Sequence, residues 1–353
     1  MTNPNKKNKS SYFFFSVIFV AVFVIMLVAN IKSTLKEEIL VSINEGVANF
    51  FTYRNSLVAV YRDNKMRIWD WKNLSNKPLV CTVQSSQVIL NKTDCIISFR
   101  PGNRKTIVAT DLQGNVKHEI AVTPNCSTAY LRINYAGNTI IVVLEKPENT
   151  TKVYTSYEVL NFDTDNFQLT SIEKIGKSGS NYLFWDFAVS NDGNLLAAVG
   201  QNGEQGSIVL VDINQRKIIW EKELSDTGRL PSVAFSPDGK FIYARDAYSS
   251  IQKVETKTAK QLSPLLQGEN IKTLMSSSQS VQDIVIDSGG KLLAAVVGEH
   301  IEVWNLETEK MIYTVGPGHK IIGSIAFSPD SAFVASSDLR QGGKIQIWKL
   351  PKP

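Results

Sequence analysis

Short apolar runs separated by polar turns fill residues 39–350, and one stretch shows the unit clearly. Val233 to Asp246 reads Val-Ala-Phe-Ser-Pro-Asp-Gly-Lys-Phe-Ile-Tyr-Ala-Arg-Asp. Pro237 presets φ, Asp238 can bond its own backbone, and Gly239 accepts positive φ, so the two apolar runs predict a β-hairpin. The pattern recurs closely at Ile325-Ala326-Phe327-Ser328-Pro329-Asp330-Ser331 and more loosely at Phe187–Gly193, Ile284–Gly290 and Leu131–Gly137. The turn positions Gly137, Gly193, Gly239, Gly290 and Ser331 are 56, 46, 51 and 41 residues apart. Strand pairs repeating every forty to fifty residues predict radial repeats.

Seven such units can be counted. The first has strands at 49–53, 57–61, 66–71 and 79–83; the second near Val88 and at 95–99, 106–110 and 117–122. The third, near Leu131 and at 139–144, 153–160 and 168–172, is lengthened by polar insertions at Pro147–Thr151 and Gly176–Asn181. The fourth includes Ile208–Asp212 and Lys217–Trp220, and the fifth follows its hairpin with strands at Ile251–Val254 and Gln261–Leu265. A polar, serine-rich loop over 267–280 separates it from the sixth, which includes Ile301–Asn305 and Met311–Tyr313; the seventh ends at Lys344–Trp348. That last unit lacks an outer strand. Ile39–Ile43 has the length and place to supply it, which would remove an unpaired edge.

A different pattern precedes the repeats. Ser10 to Ile31 contains no charged residue, and Tyr12 to Val28 is almost unbroken Phe, Val, Ile and Leu. About twenty residues at a rise of about 1.5 Å cover the hydrocarbon core, so residues 11–31 predict a transmembrane helix. The competing reading, a cleaved signal peptide, lacks a small residue two places before Ala29. Lys6, Lys7, Lys9 and the free amine precede the run, against Lys32 and Lys36 beside Glu37 and Glu38 after it. This asymmetry predicts a cytoplasmic tail over 1–10, a linker over 32–38, and a domain over 39–350 outside the cytoplasm, periplasmic if the source is bacterial.

Charge sharpens the picture only after it is located. The net charge is +5, but five lysines and no acid fall within residues 1–36, so the remaining 33 Lys and Arg face 33 Asp and Glu. A neutral domain argues against nucleic acid as partner. Three cysteines cannot all pair and leave one bridge open, Cys81–Cys95 or Cys95–Cys126, in an oxidising compartment. Three scattered histidines give no metal-ligand spacing, and no nucleophile elbow, phosphate loop or His-Glu-x-x-His is present. The sequence therefore predicts no catalytic residue, no cofactor and no metal site, and the protein is read as not an enzyme.

The repeats resemble WD40 repeats over about residues 39–350. Phe-Ser-Pro-Asp at 235 and 327, Trp69-Asp70 with its counterparts Trp304-Asn305 and Trp348-Lys349, and Gly318-His319 carry the resemblance. Gly342 stands where an Asp is expected, with Asp338 displaced from it, and the fourth unit's Val211-Asp212 followed by Lys217-Ile218-Ile219-Trp220 is also similar to quinoprotein-like propeller repeats. The resemblance implies an all-β, seven-bladed WD40-like β-propeller, which the apolar run places behind one transmembrane α-helix. It implies a non-catalytic protein-interaction platform or scaffold, with Trp69, Trp304 and Trp348 packing inside.

In such a fold the b–c and d–a loops share one face. Of ten arginines, Arg62, Arg100, Arg104, Arg229, Arg245 and Arg340 fall in or beside those loops, and Trp185 just precedes the first strand of the fourth unit's hairpin. Arg and Trp are favoured at interfaces, so these seven residues are the candidate protein contacts. The partners predicted are a protein of unknown identity and the bilayer through residues 11–31. Two alternatives remain: a propeller enzyme or cofactor binder working from its central channel, and a structural subunit of a larger membrane complex.

Overall fold

Three of the repeated turns are each fastened by one hydroxyl and one carboxylate. At the Pro-Asp-Gly turn the Ser236 hydroxyl donates to Asp238 Oδ1 at 2.7 Å and accepts from the Phe241 N–H at 2.9 Å, while Asp238 Oδ1 accepts from the Lys240 N–H at 3.1 Å. Gly239 sits at φ +70°. Ser190 with Asp192 and Ser328 with Asp330 make the same bonds, and in the latter turn Ser331 takes φ +57° in place of glycine. Hydrogen bonds from Ser328 and the backbone hold the Asp330 carboxyl below its usual range; at Asp238 burial opposes, but the Ser236 and Lys240 bonds overcome it. Local hydrogen bonds thus fix the geometry of these three turns.

The computed structural model describes residues 39–43, 47–61, 63–83, 88–90, 96–100, 103–121, 128–133, 140–149, 152–163, 168–175, 182–224, 227–247, 250–265, 283–297, 300–315, 322–338 and 344–351. Residues 39–353 form one compact unit. The described residues contain no α-helix, only a short 3-10 turn at Trp71–Asn73, and their strands form seven antiparallel sheets. The fold is all-β and consistent with a β-propeller. No helix among the described residues is long and apolar enough to cross a membrane, and the apolar segment 11–31 lies outside them.

The sheets follow the chain. Their first strands are Val47–Tyr53, Val88–Leu90, Thr128–Ile133, Tyr182–Val189, Ser232–Phe235, Ile284–Ile286 and Ile322–Phe327, and each is followed by its own neighbours in order. These first strands touch one another in sequence from the second sheet to the seventh, and the seventh touches the first. The apolar cores lie between consecutive sheets. Ile141, Val143 and Phe187 join the third to the fourth; Leu210, Val233 and Ile242 the fourth to the fifth; Val303, Ile325 and Trp348 the sixth to the seventh. Ile345 and Ile347 of the seventh sheet pack with Phe50 and Leu57 of the first. At roughly 1.5–3 kcal/mol for each large aliphatic side chain buried, these seams outweigh any surface ion pair. Trp69, Trp304 and Trp348 are all buried.

The seventh sheet takes its outer strand from the beginning of the unit. Ile39–Ile43 runs antiparallel to Lys344–Lys349, with Ile39 opposite Trp348 and Ile43 opposite Ile345. In that sheet Ile39–Ile43 and the first strand, Ile322–Phe327, are the two edges.

The polar insertion at 147–151 lengthens two strands: Ile140–Asn149 and Lys152–Asp163 extend into it, pairing Pro147 with Thr155, with a bulge where Pro147 interrupts the ladder. One sequence expectation changes. The predicted strand Gln261–Leu265 is reduced to an isolated bridge between Val254 and Gln261, leaving a three-stranded fifth sheet. Leu262 N–H still donates to Lys253 O and Leu265 N–H to Ile251 O. Between them Pro264 has no N–H to give, which breaks the ladder. The loop 267–280, the stretch 176–181 and His319 fall outside the described residues.

Candidate functional site

The first strand of the fourth sheet carries a bulge that singles out one residue. Phe184 pairs with Gly200 and Asp186 with Val199, so Trp185 is the extra residue between them. Bulges re-aim side chains. The backbones approach so closely here that a Cβ at position 200 would overlap the Leu183 carbonyl, which explains glycine there. A Cβ at position 206 would likewise overlap the Gly228 carbonyl, so Gly206 lets the connection 227–231 lie against the sheet. That connection is pinned by buried Thr227, whose hydroxyl donates to Leu224 O at 3.1 Å, and by Leu230, whose N–H donates to Gly200 O at 3.0 Å. Arg229 stands exposed between them.

The two arrangements meet. The Arg229 guanidinium lies over the half-buried Trp185 ring, 4.9 Å from its centroid. Such stacking is worth about 0.5–1 kcal/mol at exposed sites and presents a flat, amphipathic surface whose remaining N–H groups can still reach a carboxylate.

Asp186, next to Trp185 in the chain, belongs to a polar cluster that spans four sheets. Asp186 Oδ2 accepts from the Val233 N–H at 3.0 Å and faces the Ser232 hydroxyl at 3.3 Å. Asp283 Oδ1 faces the same hydroxyl at 3.3 Å, and its Oδ2 accepts from the Ile325 N–H at 3.4 Å. Ser232 Oγ also accepts from the Ile284 N–H at 3.2 Å. Burial, and after it the Asp186 carboxylate, push the Asp283 carboxyl up to about 7. Among the described residues no group of three or more His, Cys, Asp or Glu side chains is placed to hold a metal ion.

The other candidates separate. Arg245 is not a surface contact: it is 1% exposed at the end of strand Phe241–Arg245, and its Nη1 donates to the Val296 carbonyl of the sixth sheet. Burial pushes its pKa down to about 10 against the opposing pull of Asp246, Glu302 and Asp283. Arg100 is exposed at the end of strand Ile96–Arg100 and ion-paired with Glu119 on the second sheet. Arg104 lies on strand Asn103–Thr110, while Arg62 and Arg340 fall outside the described residues. Of the seven residues, the structure brings together Trp185 and Arg229. Sequence reasoning missed Asp186 and Asp283, although a charged residue inside the apolar run Leu183–Val189 was a legible signal.

Comparison with known proteins fits this architecture at one place directly. Residues 309–349 match the sequence model described as WD domain, G-beta repeat. The matched segment begins at the last strand of the sixth sheet, Lys310–Val315, and ends with the third strand of the seventh, Lys344–Lys349, so the sequence repeat straddles two sheets and ties them together. A putative BTB/POZ domain and WD-repeat protein of Acanthamoeba polyphaga mimivirus is 29% identical over 138 residues, 39% of this chain and 26% of that protein. The chain thus matches about a quarter of that relative's length. WD-repeat proteins generally act as platforms for other proteins and are typically not enzymes.

Proposed function

We propose that this protein is a membrane-anchored, seven-bladed WD40-like propeller that binds another protein at the end carrying Trp185 and Arg229, without chemistry of its own. The seven sheets, touching through their first strands and sealed by cores between neighbours, support the blade count. The apolar run at 11–31 and the lysines ahead of it support an anchor with its tail in the cytoplasm and the propeller beyond the membrane.

The observation that carries the binding reading is the Arg229–Trp185 stack. An aromatic ring held on a bulge loses little freedom on binding, and Arg with Trp is the pairing that dominates interface energetics. The partner surface it suits carries a carboxylate set in an apolar surround. In full-length protein, Trp185→Ala with Arg229→Ala should weaken partner co-purification by at least tenfold, the effect of losing two anchors at about 1–2 kcal/mol each. The melting temperature should move little, since Arg229 is exposed and Trp185 half-buried. Undiminished capture by the double variant would remove this end of the propeller from the account.

A further inference from the structure

The cluster around Asp186 poses a question of proton count. Ser232 Oγ has three polar neighbours: Asp186 Oδ2 and Asp283 Oδ1, each at 3.3 Å, and the Ile284 N–H at 3.2 Å. A serine hydroxyl has one proton to donate and two lone pairs to accept with. The Ile284 N–H uses one lone pair. The single hydroxyl proton can satisfy one carboxylate, which leaves the other facing an oxygen lone pair across 3.3 Å. If that second carboxyl carries a proton, it donates to the remaining lone pair and every valence of Ser232 is filled.

Geometry also says which carboxyl that is. Asp186 Oδ2, the oxygen that faces Ser232, already accepts the Val233 N–H at 3.0 Å, whereas the backbone donor on Asp283, the Ile325 N–H at 3.4 Å, reaches its other oxygen and leaves Oδ1 able to carry a proton toward Ser232. We propose that Asp186, Ser232 and Asp283 form a proton-held latch, with one proton on Asp283 passing the hydrogen-bond chain through Ser232 to the Asp186 carboxylate. The latch joins the first strand of the fourth sheet to that of the fifth, the fifth to the sixth, and, through the Ile325 N–H on Asp283 Oδ2, the sixth to the seventh. Loss of the proton to water sets two carboxylates against one hydroxyl proton, and the link between the fifth and sixth sheets opens.

Two charged groups bear on Asp283. From the fourth sheet comes Asp186 itself. From the second strand of the fifth sheet comes Arg245, whose charge is shared among Asp246, Glu302 and Asp283. From the seventh sheet Asp283 meets the Ile325 N–H, a backbone donor. The upward shift of the Asp283 carboxyl, caused by burial and then by Asp186, agrees with a proton retained near neutrality. The sign follows: a carboxyl whose folded pKa is raised from its ordinary value of about 4 to about 7 favours the fold fully at low pH and ceases to do so as pH rises through that window.

This latch is independent of the binding role proposed above, and its test reads protons rather than partners. Full-length protein carrying carboxyl-labelled aspartate would be titrated by infrared spectroscopy from pH 5 to pH 9. The expected result is a protonated-carboxyl stretch at pH 6 that is lost by pH 9 and is missing from Asp283→Asn. The melting temperature of the wild type should fall relative to Asp283→Asn over the same range. Ser232→Ala removes the bridging oxygen and should move the pH at which the band disappears, which keeps the test decisive should Asp283→Asn fail to fold. A wild type without that band at pH 6, a band unmoved by both substitutions, or parallel pH profiles of melting would overturn the latch.

Discussion

Replacing Arg245 by alanine is expected to destabilise the domain by about 3–5 kcal/mol, the range seen when one partner of a buried charge group is removed. In the sequence the residue reads as a candidate surface contact at the end of a hairpin. In the fold it is almost wholly enclosed between the fifth and sixth sheets, and it donates to the Val296 carbonyl. Alanine would leave that carbonyl short of a donor, open a cavity the size of a guanidinium, and strip the compensating charge from Asp246, Glu302 and Asp283. Lysine would keep the charge but not the planar fork, so Arg245→Lys should recover only part of the loss. Urea unfolding of the three proteins measures this directly. A change below about 1 kcal/mol for Arg245→Ala, the size of an exposed ion pair, would mean the guanidinium is not enclosed as described.

The second large effect concerns the strand that completes the seventh sheet. Ile39–Ile43 pairs at four positions with Lys344–Lys349, and the strand it covers supplies Ile345 and Ile347 to the seam with the first sheet. Removing residues 39–43 should cost on the order of 4 kcal/mol in ladder hydrogen bonds at about 1 kcal/mol each, and expose an unpaired edge rich in β-branched residues. The expected outcome is a lower melting temperature together with concentration-dependent aggregation, by light scattering, compared with a chain that keeps the strand. A truncated chain that melts and stays monodisperse like its parent would show that the seventh sheet does not depend on this pairing.

How much of this could be read from the residues alone follows from where the information is local. The Ser-x-Asp turns at 190–193, 236–239 and 328–331 were legible because the residues that make each turn lie within five positions of one another. Pro264 was equally visible, yet its consequence depended on which N–H groups face the third strand of the fifth sheet, and only pairing reveals that. Arg245 misled for a physical reason. Strand Phe241–Arg245 is buried on both faces over its last four residues, so alternation gave no sign of which side faces inward. The Trp185–Arg229 stack joins residues on consecutive units that share only their position near the start of a first strand. Their meeting required the bulge at Trp185 and the close approach at Gly206, neither of which leaves a periodic trace. Asp186 stood out as a charge within an apolar run, but its partner Asp283 lies almost a hundred positions away and was joined to it by a serine that looked unremarkable in sequence.

The account's central claim is that the end of the domain carrying Trp185 and Arg229 is where a partner protein binds. Photo-crosslinking in intact membranes tests it most directly, with a photoreactive residue placed in turn at 185, at 229, and at Lys240 in the Pro-Asp-Gly turn of the opposite end. The account predicts one discrete protein adduct shared by positions 185 and 229 and none at 240. An adduct confined to 240, or none at 185 and 229 under conditions where the partner co-purifies, would contradict it.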